Sequence, residues 1–277
     1  MKEVIDTLRS YDVDICVEQE FHDFLREKLR FDIRGIGIYC RKAEDMPRLD
    51  YAVSMGGDGT FLKTASVVSP SGVPILGINT GRLGFLADIK PTEIADAFCA
   101  LNNNSYSIES RTLIEVDTGD ARLEVPPYAL NEVAVLKHDN SSTINICTRV
   151  NGQNLTTYIA DGLILSTPSG STGYSLSVGG PILTPDIDAF VIAPVAPHSL
   201  SIRPIVVSAD SVVTMSVESR NHNYLVAIDG RNQSFNEKVG LTLRKAPFEL
   251  KVVKLQGRSF YHALREKLLW GEDRRGR

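Results

Sequence analysis

The stretch Tyr51-Ala52-Val53-Ser54-Met55-Gly56-Gly57-Asp58-Gly59-Thr60-Phe61-Leu62-Lys63 constrains this chain more than any other. A short apolar run stops at two glycines, turns around an aspartate and a third glycine, and enters a helical run. That is a strand–turn–helix unit, and in open α/β sheets ligands bind in the crevice at the carboxyl ends of such strands. Glycine lets the backbone come close to a ligand, and the free N–H groups of a helix N-terminus attract phosphate. Asp58 stands out there, because a carboxylate repels phosphate. Its presence makes sense if it has a proton to accept. The plainer alternative is a tight turn with a helix-capping aspartate.

The rest of the first hundred residues supports an α/β reading. Residues 1–10 and 21–29 have helical patterns, and 13–17, 35–40, 51–55 and 74–78 read as strands. A helix follows the glycine turn to about Val68, and another covers 92–101. Strands separated by helical runs of this length predict an open, mostly parallel sheet with crossover helices. The chain starts in a helix, with no strand before it.

After Asn102-Asn103-Asn104 short β-rich runs take over: 107–116, 122–125, 129–136, 143–150 and 158–165, then 189–194, 212–217, 224–228, 239–243 and 249–254. They predict a β-sandwich-like second domain, with a hairpin at Asn151-Gly152. Residues 261–270 are helical again, with Leu264, Leu268 and Leu269 on one face. The predicted organisation is an α/β domain over 1–102, a β-rich domain over 103–256, and a helix and charged tail over 257–277 returning to the first domain.

Composition narrows the function. Across 277 residues the net charge is −4, which argues against nucleic acid as the main partner. No apolar run approaches the ~20 residues that span a bilayer, and the N-terminus lacks a signal-peptide shape. The reading is a cytoplasmic protein without a membrane partner. Cys16, Cys40, Cys99 and Cys147 lie in apolar runs without paired spacing, which predicts buried free thiols.

Four polar, glycine-rich clusters carry the candidate chemistry: Gly56–Thr60; Asn79–Gly84, again after a strand; Asn131-Glu132; and Asp161-Gly162 with the Ser/Thr/Gly-rich run from Ser166 to Gly180. Taken alone, that run fits a flexible loop as well as a binding loop. Beside Asp161 and Asn131-Glu132 it reads as a nucleoside pocket, in which carboxylates accept ribose hydroxyls, amides read base edges and Tyr174 stacks. There is no phosphate-binding Gly-x-x-x-x-Gly-Lys-Ser/Thr loop. No dinucleotide-binding Gly-x-Gly-x-x-Gly follows a strand. The five histidines lack metal-ligand spacing, and Gly170-Ser171-Thr172-Gly173 misses the nucleophile-elbow spacing of a serine hydrolase.

Together these clusters resemble the NAD kinase family (inorganic polyphosphate/ATP-NAD kinases). Gly56-Gly57-Asp58-Gly59-Thr60 is similar to its signature, and Asn79-Thr80-Gly81-Arg82-Leu83-Gly84-Phe85-Leu86 to its second glycine loop. Asn131-Glu132-Val133, Asp161-Gly162-Leu163, Thr167–Pro181, Ala196–Ser201, Arg203-Pro204 and Asp229-Gly230 also match, in order, from about Val13 onward. The resemblance implies transfer of a terminal phosphoryl group from ATP or polyphosphate to the 2′-hydroxyl of the adenosine ribose of NAD, giving NADP. It implies Asp58 as general base, with Asp58, Gly59 and Lys63 flanking NAD and the transferred phosphate. Lys63 also reads as a solvated helix lysine. By the same resemblance Asn131 and Glu132 hold the ribose or amide end, Asp161 adds a polar contact, and Thr172, Gly173, Tyr174, Ser175, Leu176 and Ser177 line the adenine side, with Ser169 in the same set. Mg2+ would ride on the donor phosphates and need few protein ligands. A homodimer or homotetramer is implied as well.

Two features depart from the family pattern. The usual first strand and its glycine turn are missing, and Asp229-Gly230-Arg231 replaces Asp-Gly-Gln, so the glutamine's nucleotide contact does not carry over. Competing readings are a lipid or sugar kinase sharing the glycine turn, and a non-catalytic NAD(P) sensor.

Overall fold

The computed structural model describes residues 2–39, 48–81, 84–138 and 143–271. Cys40, Arg82, Leu83 and the charged tail beyond Gly271 lie outside the described residues. Two compact units form, one from residues 1–109 with 251–277, the other from 110–250. Along the chain come α1 (Lys2–Arg9), β1 (Ile15–Glu18), α2 (Gln19–Glu27), β2 (Ile36–Tyr39), β3 (Ala52–Gly56), α3 (Asp58–Val68), β4 (Ile75–Asn79), α4 (Ile94–Asn102) and β5 (Tyr106–Arg111). Next are β6 (Ile114–Asp117), β7 (Tyr128–Ala129), β8 (Glu132–Lys137), β9 (Ile144–Val150), β10 (Gln153–Ala160), β11 (Gly162–Ser166), α5 (Tyr174–Ser177) and β12 (Ala189–Val195). The chain then forms β13 (Ile205–Ser208), β14 (Val213–Glu218), β15 (Asn223–Ile228), β16 (Arg231–Asn236), β17 (Leu241–Lys245), β18 (Leu250–Leu255) and α6 (Phe260–Leu268).

In the first unit β1 and β2 pair in parallel, and a second sheet has the order β3-β4-β18-β5. Both β3 and β18 run parallel to β4. All five β4 residues are buried, as expected of a parallel strand flanked on both sides. α3 buries Phe61, Ala65 and Val68, spaced along one helical stripe. α1 and α4 contribute Val4, Ala97 and Phe98 to the core that also holds Leu76, Ile78 and Val253.

The second unit is a sandwich of two six-stranded sheets, β10-β9-β14-β17-β6-β7 and β13-β12-β11-β8-β15-β16, with antiparallel pairing throughout the register observed. Val133, Val135, Leu163, Leu165, Ile146, Met215 and Tyr224 share the core between them. β11 is buried at every position, because its other face meets a second cluster with Leu183, Ala189 and Val191. The segment leading into β12 therefore covers the outer face of that sheet.

Several expectations need correction. Residues 122–125 form no strand: the Gln233 side chain accepts the Glu124 N–H at 2.7 Å and donates to the Arg122 carbonyl at 2.8 Å, replacing a ladder. The predicted run 129–136 breaks between β7 and β8, where the Asp229 carboxylate takes the backbone N–H groups of Leu130 and Asn131. Residues 158–165 break at Asp161, and 107–116 divide between the sheets of β5 and β6. β13 and β16 were not anticipated. Leu264 is buried, but Leu268 and Leu269 are 37% and 40% exposed. Cys99 is exposed and Cys16 and Cys147 are only partly covered. Cys147 occupies an outward position of β9, between the inward Ile146 and Thr148.

Candidate active site

The first unit builds one polar constellation. β3 and β4 align Gly56 opposite Asn79, so both glycine turns leave the sheet at the same edge, and the Thr80 N–H donates to the Gly56 carbonyl at 3.3 Å. Gly57, Gly59, Thr60 and Lys63 are exposed. Asp58 opens α3 and turns its carboxylate onto the second loop. Its oxygens accept the N–H groups of Phe85 at 2.7 Å, Leu86 at 3.1 Å and Ala87 at 3.3 Å. A Cβ on Gly84 would lie 1.8 Å from Asp58 Oδ1, so only glycine allows this approach. The buried Asn79 completes the clamp, accepting the Gly81 N–H at 2.8 Å and donating to the Ala87 carbonyl at 3.3 Å. A carboxylate offers about four acceptor sites. Three are taken by the loop, leaving room for one further donor.

The second unit builds another. The Asp229-Gly230 turn between β15 and β16 puts both residues at positive φ, 47° and 77°. Asp229 accepts the N–H groups of Leu130 and Asn131 at 2.8 Å and of Glu132 at 3.1 Å, holding the Asn131-Glu132 pair in place. Burial pushes the Asp229 carboxyl up, against the pull of those three N–H groups. The Glu132 carboxyl is pushed up to about 7, first by burial and then by the Asp229 charge, while the Tyr174 N–H draws it down.

The Ser/Thr/Gly run is an ordered wrap around this pair. The Thr167 hydroxyl donates to the Leu130 carbonyl and the Thr167 N–H to the Asn131 carbonyl. Ser169 accepts from the Arg111 guanidinium at 3.1 Å. A Cβ on Gly170 would lie 2.1 Å from the Asn131 carbonyl oxygen. One on Gly173 would lie 3.1 Å from Glu132 Oε2. Tyr174 and Ser177 are exposed, Thr172 and Leu176 half-buried and Ser175 buried. Asn131 Oδ1, Glu132 Oε2, Ser175 Oγ and Arg231 Nη1 are buried without a hydrogen-bond partner. Buried polar groups are normally paired, so four such atoms in one neighbourhood indicate a place for a polar ligand.

Asp161 is not brought to that cluster. It precedes β11, whose Gly162 pairs with Leu136 while Ser166 pairs with Glu132, so a strand length of roughly 13 Å intervenes. Its carboxylate pairs with Lys137 at 2.7 Å. Arg231, which stands in the glutamine's place, donates to the carbonyls of Ile228 at 3.0 Å and Tyr128 at 2.8 Å. The holding role of Asp229 was missed in the sequence, where only its Asp-Gly turn was visible.

The chain resembles known proteins along nearly its whole length. The sequence model of the ATP-NAD kinase N-terminal domain matches residues 1–106, and that of the C-terminal domain residues 130–255. The chain is 49% identical over 268 residues to an NAD kinase of Bacteroides fragilis, covering 97% of this chain and 91% of that protein. It is 42% identical over 273 residues to an NAD kinase of Porphyromonas gingivalis, covering 98% and 92%. Among solved structures, yeast NADH kinase complexed with NADH has a similar fold, with a TM-score of 0.86 at 24% identity over 100% of this chain and 86% of that one. An NAD kinase from Archaeoglobus fulgidus in complex with ATP aligns with a TM-score of 0.72 at 26% identity over 92% and 98%. With both domain models matched and near-full-length relatives well above 30% identity, this chain belongs to the NAD kinase family.

Proposed function

We propose that the protein phosphorylates the 2′-hydroxyl of the adenosine ribose of NAD, giving NADP, with Asp58 accepting the hydroxyl proton. The observation that carries this is the set of partnerless buried polar atoms around Asn131, Glu132 and Ser175. Ribose hydroxyls and amide groups supply both donors and acceptors to such a set. Asp58 suits the base role because its carboxylate is oriented by three backbone bonds and keeps about one acceptor site free. Gly59 and Lys63 adjoin it on α3, where an exposed ammonium offsets phosphate charge. Thr172, Gly173, Tyr174, Leu176 and Ser177 frame the nucleotide beside the polar set. Asp161, ion-paired away from them, serves as a separate polar contact.

ATP is the donor in this reading, with polyphosphate as the second donor to test, and the enzyme works in the cytoplasm as a homodimer or homotetramer. Mg2+ would neutralise charge on the donor phosphates. Among the described residues no group of three His, Cys, Asp or Glu side chains could hold a metal. In this reading its ligands are mainly phosphate oxygens and water.

The test is NADP formation from NAD, Mg2+ and either ATP or polyphosphate. Absence of product with both donors, from folded protein, removes the kinase reading. Asp58→Asn is expected to keep NAD affinity within a few-fold while turnover falls by about 10²–10⁴; loss of binding alone would remove the base role.

A further inference from the structure

The returning C-terminal segment packs three cations against the loop that follows the second glycine turn. Lys254 pairs with Asp88 at 2.7 Å, and Arg258 donates to the Asp88 carbonyl and the Glu93 carboxylate. Those two are satisfied. Lys267, on the α6 face that buries Leu264, is not. Its Nζ is buried without a hydrogen-bond acceptor and lies 4.3 Å from the centroid of the Phe85 ring.

Burying an ammonium that donates no hydrogen bond is strongly unfavourable, and a cation–π contact recovers only a small part of that cost. A lysine near a helix end ordinarily extends its amine to water. Lys267 instead rests on Phe85, whose own N–H makes the shortest of the three bonds to Asp58. The charges facing its amine are Asp58, Asp88 and Glu266, which favour the ammonium, and Lys254, which opposes it. Glu266 also approaches Lys90 at 4.0 Å and His262 at 3.8 Å, and Glu93 is engaged by Arg258.

We propose that Lys267 is a positioning residue of the phosphoryl-transfer site: its charge, seated on Phe85, holds the 84–87 loop and through it the Asp58 carboxylate in place when phosphate-bearing substrates arrive. This rests on the kinase reading above. A residue kept there for activity is held against stability, and this separates it from a packing residue. Burial lowers its ammonium to about 8, whereas in the unfolded chain it titrates near ~10.4. Between those values the unfolded chain binds the extra proton, so wild-type stability rises with pH across that window, and below it the folded state carries the whole burden of the charge.

The experiment compares wild type, Lys267→Met and Lys267→Arg by melting temperature and by NADP formation from pH 7 to 10. Lys267→Met is expected to melt a few degrees higher than wild type at pH 7, with the gap closing as pH rises, while kcat falls by about tenfold to a hundredfold and KM for NAD moves little. Wild-type turnover is expected to decline above about pH 8, and Lys267→Arg, still charged, to flatten that decline. A Lys267→Met protein that melts below wild type, or that keeps wild-type kcat, overturns the proposal. Should the wild type make no NADP, the kinase reading fails by itself, and the melting curves still decide whether Lys267 is a charge held against stability.

Discussion

At the scale of single residues, burial brings the Glu132 carboxyl into the neutral pH range. It titrates at about 7 in the folded protein and near ~4.3 when unfolded. Across that window the folded state keeps a proton that the unfolded chain has lost, so this group's contribution is present below pH 4 and is lost as pH rises through 7. Glu132→Gln removes the slope. The variant should gain a few degrees in melting temperature on wild type between pH 5 and pH 8; parallel melting curves at both pH values would show that Glu132 is not held protonated. The sequence draws attention to Asp58 because a carboxylate at a phosphate-friendly glycine turn conflicts with its setting, and to Glu132 because it forms an amide–carboxylate pair with Asn131 at a strand start. For Asp229 and Lys267 the sequence holds neither signal. Asp229 looked like an ordinary turn residue, and its task depends on β8 pairing with β15, about a hundred residues apart. Lys267 looked like any helix lysine.

At the scale of elements, hydrophobic periodicity located α1, α3, α4, α6 and most strands, because apolar burial on one face leaves a period in the sequence. It failed where side chains take over backbone hydrogen bonds. Leu130-Asn131 lies in an apolar run, yet its N–H groups serve Asp229 and not a ladder. Residues 122–125 likewise bond to the Gln233 side chain. The Ser/Thr/Gly run could not be assigned from composition, and the close approach of Gly170 to Asn131 explains why it is ordered. Gly170→Ala would place a methyl group 2.1 Å from the Asn131 carbonyl oxygen. It should destabilise the second unit by about 1–3 kcal/mol and weaken NAD binding, measured by denaturant unfolding and calorimetric titration. Unchanged unfolding would show that the wrap yields easily.

At the scale of the whole molecule, the chain leaves the first unit at β5 and re-enters it through β18, so the two units differ in how much of the sequence each needs. Every strand of both six-stranded sheets, from β6 to β17, lies within residues 110–250, and so does the core between them. The first unit is interrupted. β18 sits between β4 and β5 in its main sheet, and Val253 belongs to its core. Residues 1–109 alone would lose the β18 pairing at Ile75 and the Val253 side chain, exposing part of the edge of β4, a strand buried at all five positions. A fragment of residues 110–250 should therefore fold alone, with a cooperative melt and β-type circular dichroism. Residues 1–109 should not fold. A well-folded 1–109 fragment, or an unfolded 110–250 fragment, would mean that the stability of the two units is not divided along the chain in this way.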